Sequence, residues 1–170
     1  MSRLTDLREF QQDLTRRIQG AAAGQAAQPT RLGVLAGDQH WLIRLDEAAE
    51  VLAVGTIAAV PLTRSWFRGL TNVRGNLLSV IDLGQFLGAA PTPSSLDNRL
   101  VLVNERFHMH VGLLVSRMLG LRALNQLVEA DNPASLPWVH HEYRDGQGCL
   151  WRELSMGELV YHPDFMQVGS

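Results

Sequence analysis

Only one cysteine, Cys149, stands in this sequence of 170 residues. No internal disulfide can form, so nothing calls for an oxidising compartment, and the expectation is a reduced, cytoplasmic protein. An excess of either charge is missing as well: 15 basic side chains face 17 carboxylates, for a net charge of -2. That balance offers no general attraction to polyanions and argues against nucleic acid as a partner. No apolar run approaches the length of a membrane span, and the segment from Met1 to Gly20 is charged and amphipathic, without a signal peptide's uninterrupted apolar core. Direct membrane insertion and secretion both lose support.

Catalytic wording is absent too. There is no GxSxG elbow, no P-loop or GxGxxG glycine spacing, and no HExxH pair. Cys149 falls inside an apolar strand pattern with nothing in the sequence to activate it. His108 and His110 would share a face if they lay on one strand, but two ligands without a third make no metal site. His140 and His141 are neighbours on a strand pattern, so they should point to opposite faces of a polar edge strand. The expectation is no catalytic residue, no metal and no cofactor.

What is present begins with a stripe of Leu4, Leu7, Phe10, Leu14 and Ile18 at helical spacing, with Thr5 as N-cap, Asp6 and Glu9 early and Gly20 as a stop. Residues 1–20 therefore read as an amphipathic helix. Residues 21–30, AAAGQAAQPT, carry no large apolar side chain and read as a linker. The helix is expected to pack on its parent domain, with docking on a partner as the alternative.

From Arg31 the texture changes to short apolar runs with turn residues every eight to twelve positions, the pattern of a mainly β sandwich or barrel domain over 31–168. Gly37 and Asp38 separate two runs as a tight hairpin, with Trp41, Ile43 and Leu45 on one face. Further strands are expected at 50–55, 69–74, 77–81, 99–104, 109–115, 121–128, 139–143 and 149–154. Two segments echo one another: GNLLSVIDLGQFL from Gly75 and GCLWRELSMGELV from Gly148. Each runs from a turn glycine through a strand to an N-cap with a capping-box partner, Asp82 with Gln85 and Ser155 with Glu158, and then into a short helix. The simplest cause is two similar small barrels, with the Pro- and Ser-rich loop 89–98 between the halves.

The stretch from Pro61 to Gly88 is the most informative. Arg74 stands at a glycine-hinged turn, with Trp66 and Phe67 close in sequence, and an arginine so placed suits either an interface or an internal ion pair. Pro61, Trp66, Phe67, Gly69, Asn72, Val73, Arg74, Gly75 and Val80 to Leu83 resemble the motif set of the CheW-like domain family. Gly112 to Val115 and Trp151 to Leu154 extend the resemblance, so that it covers roughly residues 30 to 168. Val73 stands where leucine is commoner. Within the family, this wording and the helical leader look most like members serving type IV pilus chemosensory systems, which control twitching motility.

The resemblance implies two SH3-like five-stranded barrel subdomains on a shared core. It also implies a non-catalytic adaptor that couples the cytoplasmic tip of a chemoreceptor, a methyl-accepting chemotaxis protein, to the regulatory domain of a CheA-type histidine kinase. Such a protein would sit at the inner face of the membrane in receptor arrays. By the same resemblance Arg74 is the receptor contact, with Asn72 and Gly75 in the same motif as contacts or as builders of the turn. Asp82 reads as a helix cap. No kinase-contact residue transfers from the family; the hairpin Leu32 to Leu45 is a candidate, although burial in its own barrel explains most of its side chains. A small barrel that binds a ligand or nucleic acid is the alternative from another class.

Overall fold

The computed structural model describes residues 9–18, 29–131 and 135–170. A helix, α1, runs over 9–18, and the remainder of the expected helix 1–20 lies outside the described residues. So does most of the linker 21–30, whose last residue already opens the first strand. Eleven strands follow among the described residues: β1 (Thr30–Ala36), β2 (Gln39–Arg44), β3 (Ala48–Ala53), β4 (Phe67–Val73), β5 (Asn76–Asp82), β6 (Arg99–Val103), β7 (Val111–Val115), β8 (Arg117–Ala123), β9 (Val128–Glu129), β10 (Val139–Arg144) and β11 (Leu150–Leu154). Short helices α2 (Leu83–Phe86), α3 (Met156–Val160) and α4 (Pro163–Met166) punctuate them. The fold is mainly β, as the sequence pattern requires.

Strand pairing divides the chain into two sheets, ordered β8-β1-β2-β11-β10-β9 and β3-β6-β7-β5-β4. The two are the same design. In each, an antiparallel hairpin (β1–β2 or β6–β7) is flanked on one side by an antiparallel strand (β8 or β3) and on the other by a parallel one (β11 or β5). Both curl closed in the same manner. After β3 the chain bends and Ala58 bridges to Leu70 on the free edge of β4, while after β8 it bends through a 3-10 turn and β9 pairs with β10. The single strand expected over Leu121 to Val128 is therefore broken at a barrel corner, where the Leu124 amide turns to donate to the Pro29 carbonyl.

The echoed segments occupy equivalent places, as β5 with α2 and β11 with α3. Asp82 accepts from the Gln85 amide and Ser155 from the Glu158 amide, so both caps form. The caps' own amides are bonded to strand partners, Asp82 to the Trp66 carbonyl and Ser155 to that of Trp138, both at 2.8 Å. Trp66 and Trp138 are thus equivalent residues, and both rings pack on Phe86, with centroids 5.1 and 5.4 Å away.

One expectation about this duplication needs correcting. The loop 89–98 does not separate two halves; it lies inside the second barrel, between α2 and β6. The chain begins the first barrel with β1 and β2, builds all of the second as β3 to β7, and returns for β8 to β11. Two contacts hold the loop within its own barrel. Thr92 donates its amide and hydroxyl to Asp82, and β6, which follows the loop, pairs with β3 and β7.

The two barrels share a core. Leu32, Val34, Trp41, Ile43 and Leu154 from the first pack in one cluster with Val51, Ile81, Val101, Leu113 and Val115 from the second. Trp41, Ile43 and Leu45 do share this face, as expected. The outer face of each sheet is buried as well, over Leu42, Tyr143 and Trp151 in the first and Val80, Leu100 and Leu114 in the second. Burial on both faces explains why β2 and β7 read as unbroken apolar runs rather than alternating ones.

Tyr143 in the first of these outer clusters supplies a pH test. Burial, with the Glu153 carboxylate beside its hydroxyl, pushes its pKa up to about 12. Because the folded value lies above the unfolded one of about 10, this group's stabilisation is complete below pH 10 and is lost as pH rises through 12. An alkaline absorbance titration should show one of the two tyrosines ionising late, as the fold is lost. Simultaneous ionisation of both near pH 10 would contradict this environment.

Candidate docking surface at the β4–β5 hairpin tip

The motif residues Asn72, Arg74 and Gly75 come together at one turn. β4 and β5 pair down to Val73 opposite Asn76, leaving a two-residue loop in which Arg74 and Gly75 have φ of 51° and 83°. Positive φ at both positions matches the right-handed twist of the flanking strands and is why glycine suits the second. Asn72 secures the turn by accepting from the Gly75 amide at 3.0 Å. Asn72 and Gly75 are therefore builders of the turn. Arg74 is the residue it displays, in a backbone region that non-glycine residues seldom occupy.

The Arg74 side chain is 68% exposed and makes a two-pronged ion pair with Glu50 of β3, with both contacts at 2.6 Å. This hydrogen-bonded carboxylate holds the guanidinium pKa above its ordinary value. Since β3 and β4 are the outermost strands of the second sheet, the pair spans the seam where that sheet curls on itself. The internal ion pair expected of Arg74 is thus present, and the side chain that makes it is also exposed to solvent. Leu77, opposite Asn72 in the ladder, adds an apolar neighbour that is 59% exposed.

Other motif residues serve the scaffold. Gly69 has a φ of 132°, and a Cβ there would lie 2.1 Å from the Ala58 carbonyl oxygen, so the bridge that closes the barrel requires glycine. Asp82 is wholly buried and accepts from Gln85, from Thr92 twice and from Arg68. Trp66 and Phe67 do not neighbour Arg74. They sit at the opposite end of β4, roughly 20 Å along at about 3.3 Å per residue, and Trp66 belongs to an aromatic cluster with Phe86 and Phe165. Proximity in sequence misled because an extended strand separates its ends.

The histidine pairs dissolve as candidates. β7 starts only at Val111, and His108 closes a 3-10 turn in a left-handed conformation, so His108 and His110 do not share a strand face. His140 lies at a bulge between Val139 and His141, which leaves both histidines exposed instead of on opposite faces. No group of three or more metal-ligating side chains occurs among the described residues. In the hairpin Leu32 to Leu45 the large apolar side chains are buried or half-buried, leaving Asp38, Gln39 and Arg44 exposed.

Sequence reasoning missed Glu50, whose contact with Arg74 spans 24 positions. It also missed how close α1 lies to this region. Gln11, Gln12, Thr15 and Arg16 of α1 face Glu50, Val51, Leu52 and Arg74 across one open groove.

The sequence profile of the CheW-like domain matches residues 31–162. Protein PilI of Pseudomonas aeruginosa is 28% identical over 167 residues, covering 92% of each chain. That is more than residues 31–170 alone would supply, so the likeness reaches into the leader. The chemotaxis protein CheW of Thermotoga maritima is 26% identical over 89 residues, 52% of this chain and 58% of its own. Among solved structures, the scaffolding protein TtCheW from Thermoanaerobacter tengcongensis has the same fold, with a TM-score of 0.68 at 16% identity over 84% of this chain and 98% of that one.

Proposed function

The chain belongs to the CheW-like domain family, and we propose that it is a non-catalytic adaptor coupling a chemoreceptor tip to the regulatory domain of a CheA-type histidine kinase. The likeness to PilI over most of both chains supports placing it in a pathway that controls type IV pilus twitching motility. It would then work in the cytoplasm, at receptor arrays on the inner face of the membrane.

The observation that carries the reading is Arg74, an exposed guanidinium on a turn whose backbone is already locked by Asn72. A preformed tip of this kind loses little conformational freedom on docking. No bond needs to be made or broken. An adaptor alters kinase output if it binds the active and inactive arrangements of its partners with different affinity, or if it fixes how they face one another. Asn72 and Gly75 contribute by aiming Arg74, and two barrels provide faces enough for two partners.

Calorimetric titration of the purified chain tests this. A receptor-tip fragment and a kinase regulatory domain should each bind, and saturation with one should leave a site for the other. Mutually exclusive binding, or no binding of either, would overturn the coupling role.

A further inference from the structure

α1 is anchored by its apolar face. Leu14 and Ile18, one turn apart, are 4% and 3% exposed and lie in the cluster shared by both barrels. A helix seated in this way is a fixed part of the body, and the polar face beside the anchored one is held in a defined position.

That neighbouring face carries Gln12, Thr15 and Arg16, which border an open groove of about 630 Å³ with Glu50 and Arg74 also on its wall. Half-buried Leu52 of β3 adds an apolar patch. Glu50 takes two prongs of Arg74, so Arg74 enters the groove as half of a neutral pair, with the face and outer N–H groups of its guanidinium open. On the helix side, the Thr15 hydroxyl is committed to the Gln11 carbonyl. Gln12 and Arg16 are exposed, and neither side chain makes a hydrogen bond or ion pair among the described residues. Arg17, by contrast, pairs with Asp13 at 3.1 Å and does not border the groove.

We propose that α1 is a permanent wall of the receptor-docking groove, and that Gln12 and Arg16 contact the chemoreceptor tip alongside Arg74. This rests on the reading of Arg74 as the receptor contact, and continuity assigns the occupant: a segment lying in the groove against Arg74 has α1 on its other side. Arg16 donates, and the Gln12 amide donates and accepts, so both suit amide and carbonyl oxygens as well as carboxylates, and no net charge is required of the partner. The match to the CheW-like profile begins at residue 31, after α1, whereas the likeness to PilI spans 167 residues and reaches into the leader. α1 thus adds contacts that the shared domain does not supply.

The test titrates a soluble tip fragment of a methyl-accepting chemotaxis protein into the full chain and compares hydrogen exchange of the free and bound states. Arg16→Glu should weaken binding about tenfold and Gln12→Ala about fivefold, the effects of losing a charged and a neutral hydrogen bond. Neither should move the melting temperature, since both side chains are exposed. Arg17→Glu, the same charge change one position away and outside the groove, should alter affinity by no more than about twofold, which separates contact from the screened field of the whole protein. Affinity for a kinase regulatory domain should be the same in every variant. In the wild type, the receptor fragment should slow exchange of the α1 amides together with those of residues 72–76.

Slowing at the turn alone, or equal losses from Arg16→Glu and Arg17→Glu, would overturn the role of α1 and leave Arg74 as the receptor contact. Slowing at α1 without the turn would refute the Arg74 reading and keep the helix as a contact. Slowing of α1 by the kinase domain in place of the receptor fragment would overturn the assigned occupant, and a fragment that does not bind would overturn both readings.

Discussion

Replacing Asp82 with alanine is expected to destabilise the protein by roughly 3–5 kcal/mol, from the loss of four hydrogen bonds to one buried carboxylate at about 1 kcal/mol each. Asp82 is fully buried and accepts four hydrogen bonds, from the Gln85 amide at 3.1 Å, the Thr92 hydroxyl at 2.7 Å, the Thr92 amide at 2.8 Å and Arg68 Nη1 at 3.1 Å. Alanine would strip the cap from α2, release the loop 89–98 from the barrel wall and leave Arg68 without its carboxylate, all in one step. Asparagine should recover little, since its amide NH2 would face donors. Urea unfolding would measure the loss, and hydrogen exchange in the loop would show where it falls. A change under about 1 kcal/mol would mean that the loop is held by its own contacts, because a typical hydrogen bond alone is worth about that much.

Charge reversal at the hairpin tip should act on binding and spare the fold. Arg74→Glu places a second carboxylate against Glu50 and removes the displayed guanidinium, but at 68% exposure the pair is screened by solvent, so the melting temperature should scarcely move. Affinity for a receptor-tip fragment is expected to fall about 30-fold or more, the effect of losing an interface anchor. Arg74→Lys should recover only part, since an ammonium cannot reproduce the planar fork. Arg74→Gly separates the two roles. Glycine accepts the positive φ without strain, so this variant should be at least as stable as the wild type while docking as poorly as the glutamate. Undiminished affinity in both variants would remove Arg74 from the interface.

Much of this architecture was legible one segment at a time. Gly37 with Asp38 marked a tight hairpin, Asp82 and Ser155 marked helix starts, and the Leu14 and Ile18 spacing marked a helix face that packs on the body. The repeated wording from Gly75 and Gly148 revealed a duplicated unit. It could have been carried further back, since Trp66 and Trp138 stand at nearly the same distance before the two caps and serve the same backbone bond. Where reading failed, a distant partner decided the outcome. Val128 left the strand of Leu121 because the barrel turns a corner there, and His140 lost its alternation at a bulge.

Turns, caps and amphipathic faces depend on residues within about four positions of one another, so sequence alone determined them, along with the motif set that marks the family. The tertiary structure alone decided that one barrel is threaded into the other, that β5 lies parallel to β7 and β11 to β2, and that Arg74 meets Glu50 and Arg31 meets Glu153. Those outcomes follow from which sheet edges remain to be closed and which charges are trapped when the two barrels share one core. Such constraints arise only after the chain has brought distant segments together, and no local pattern records them.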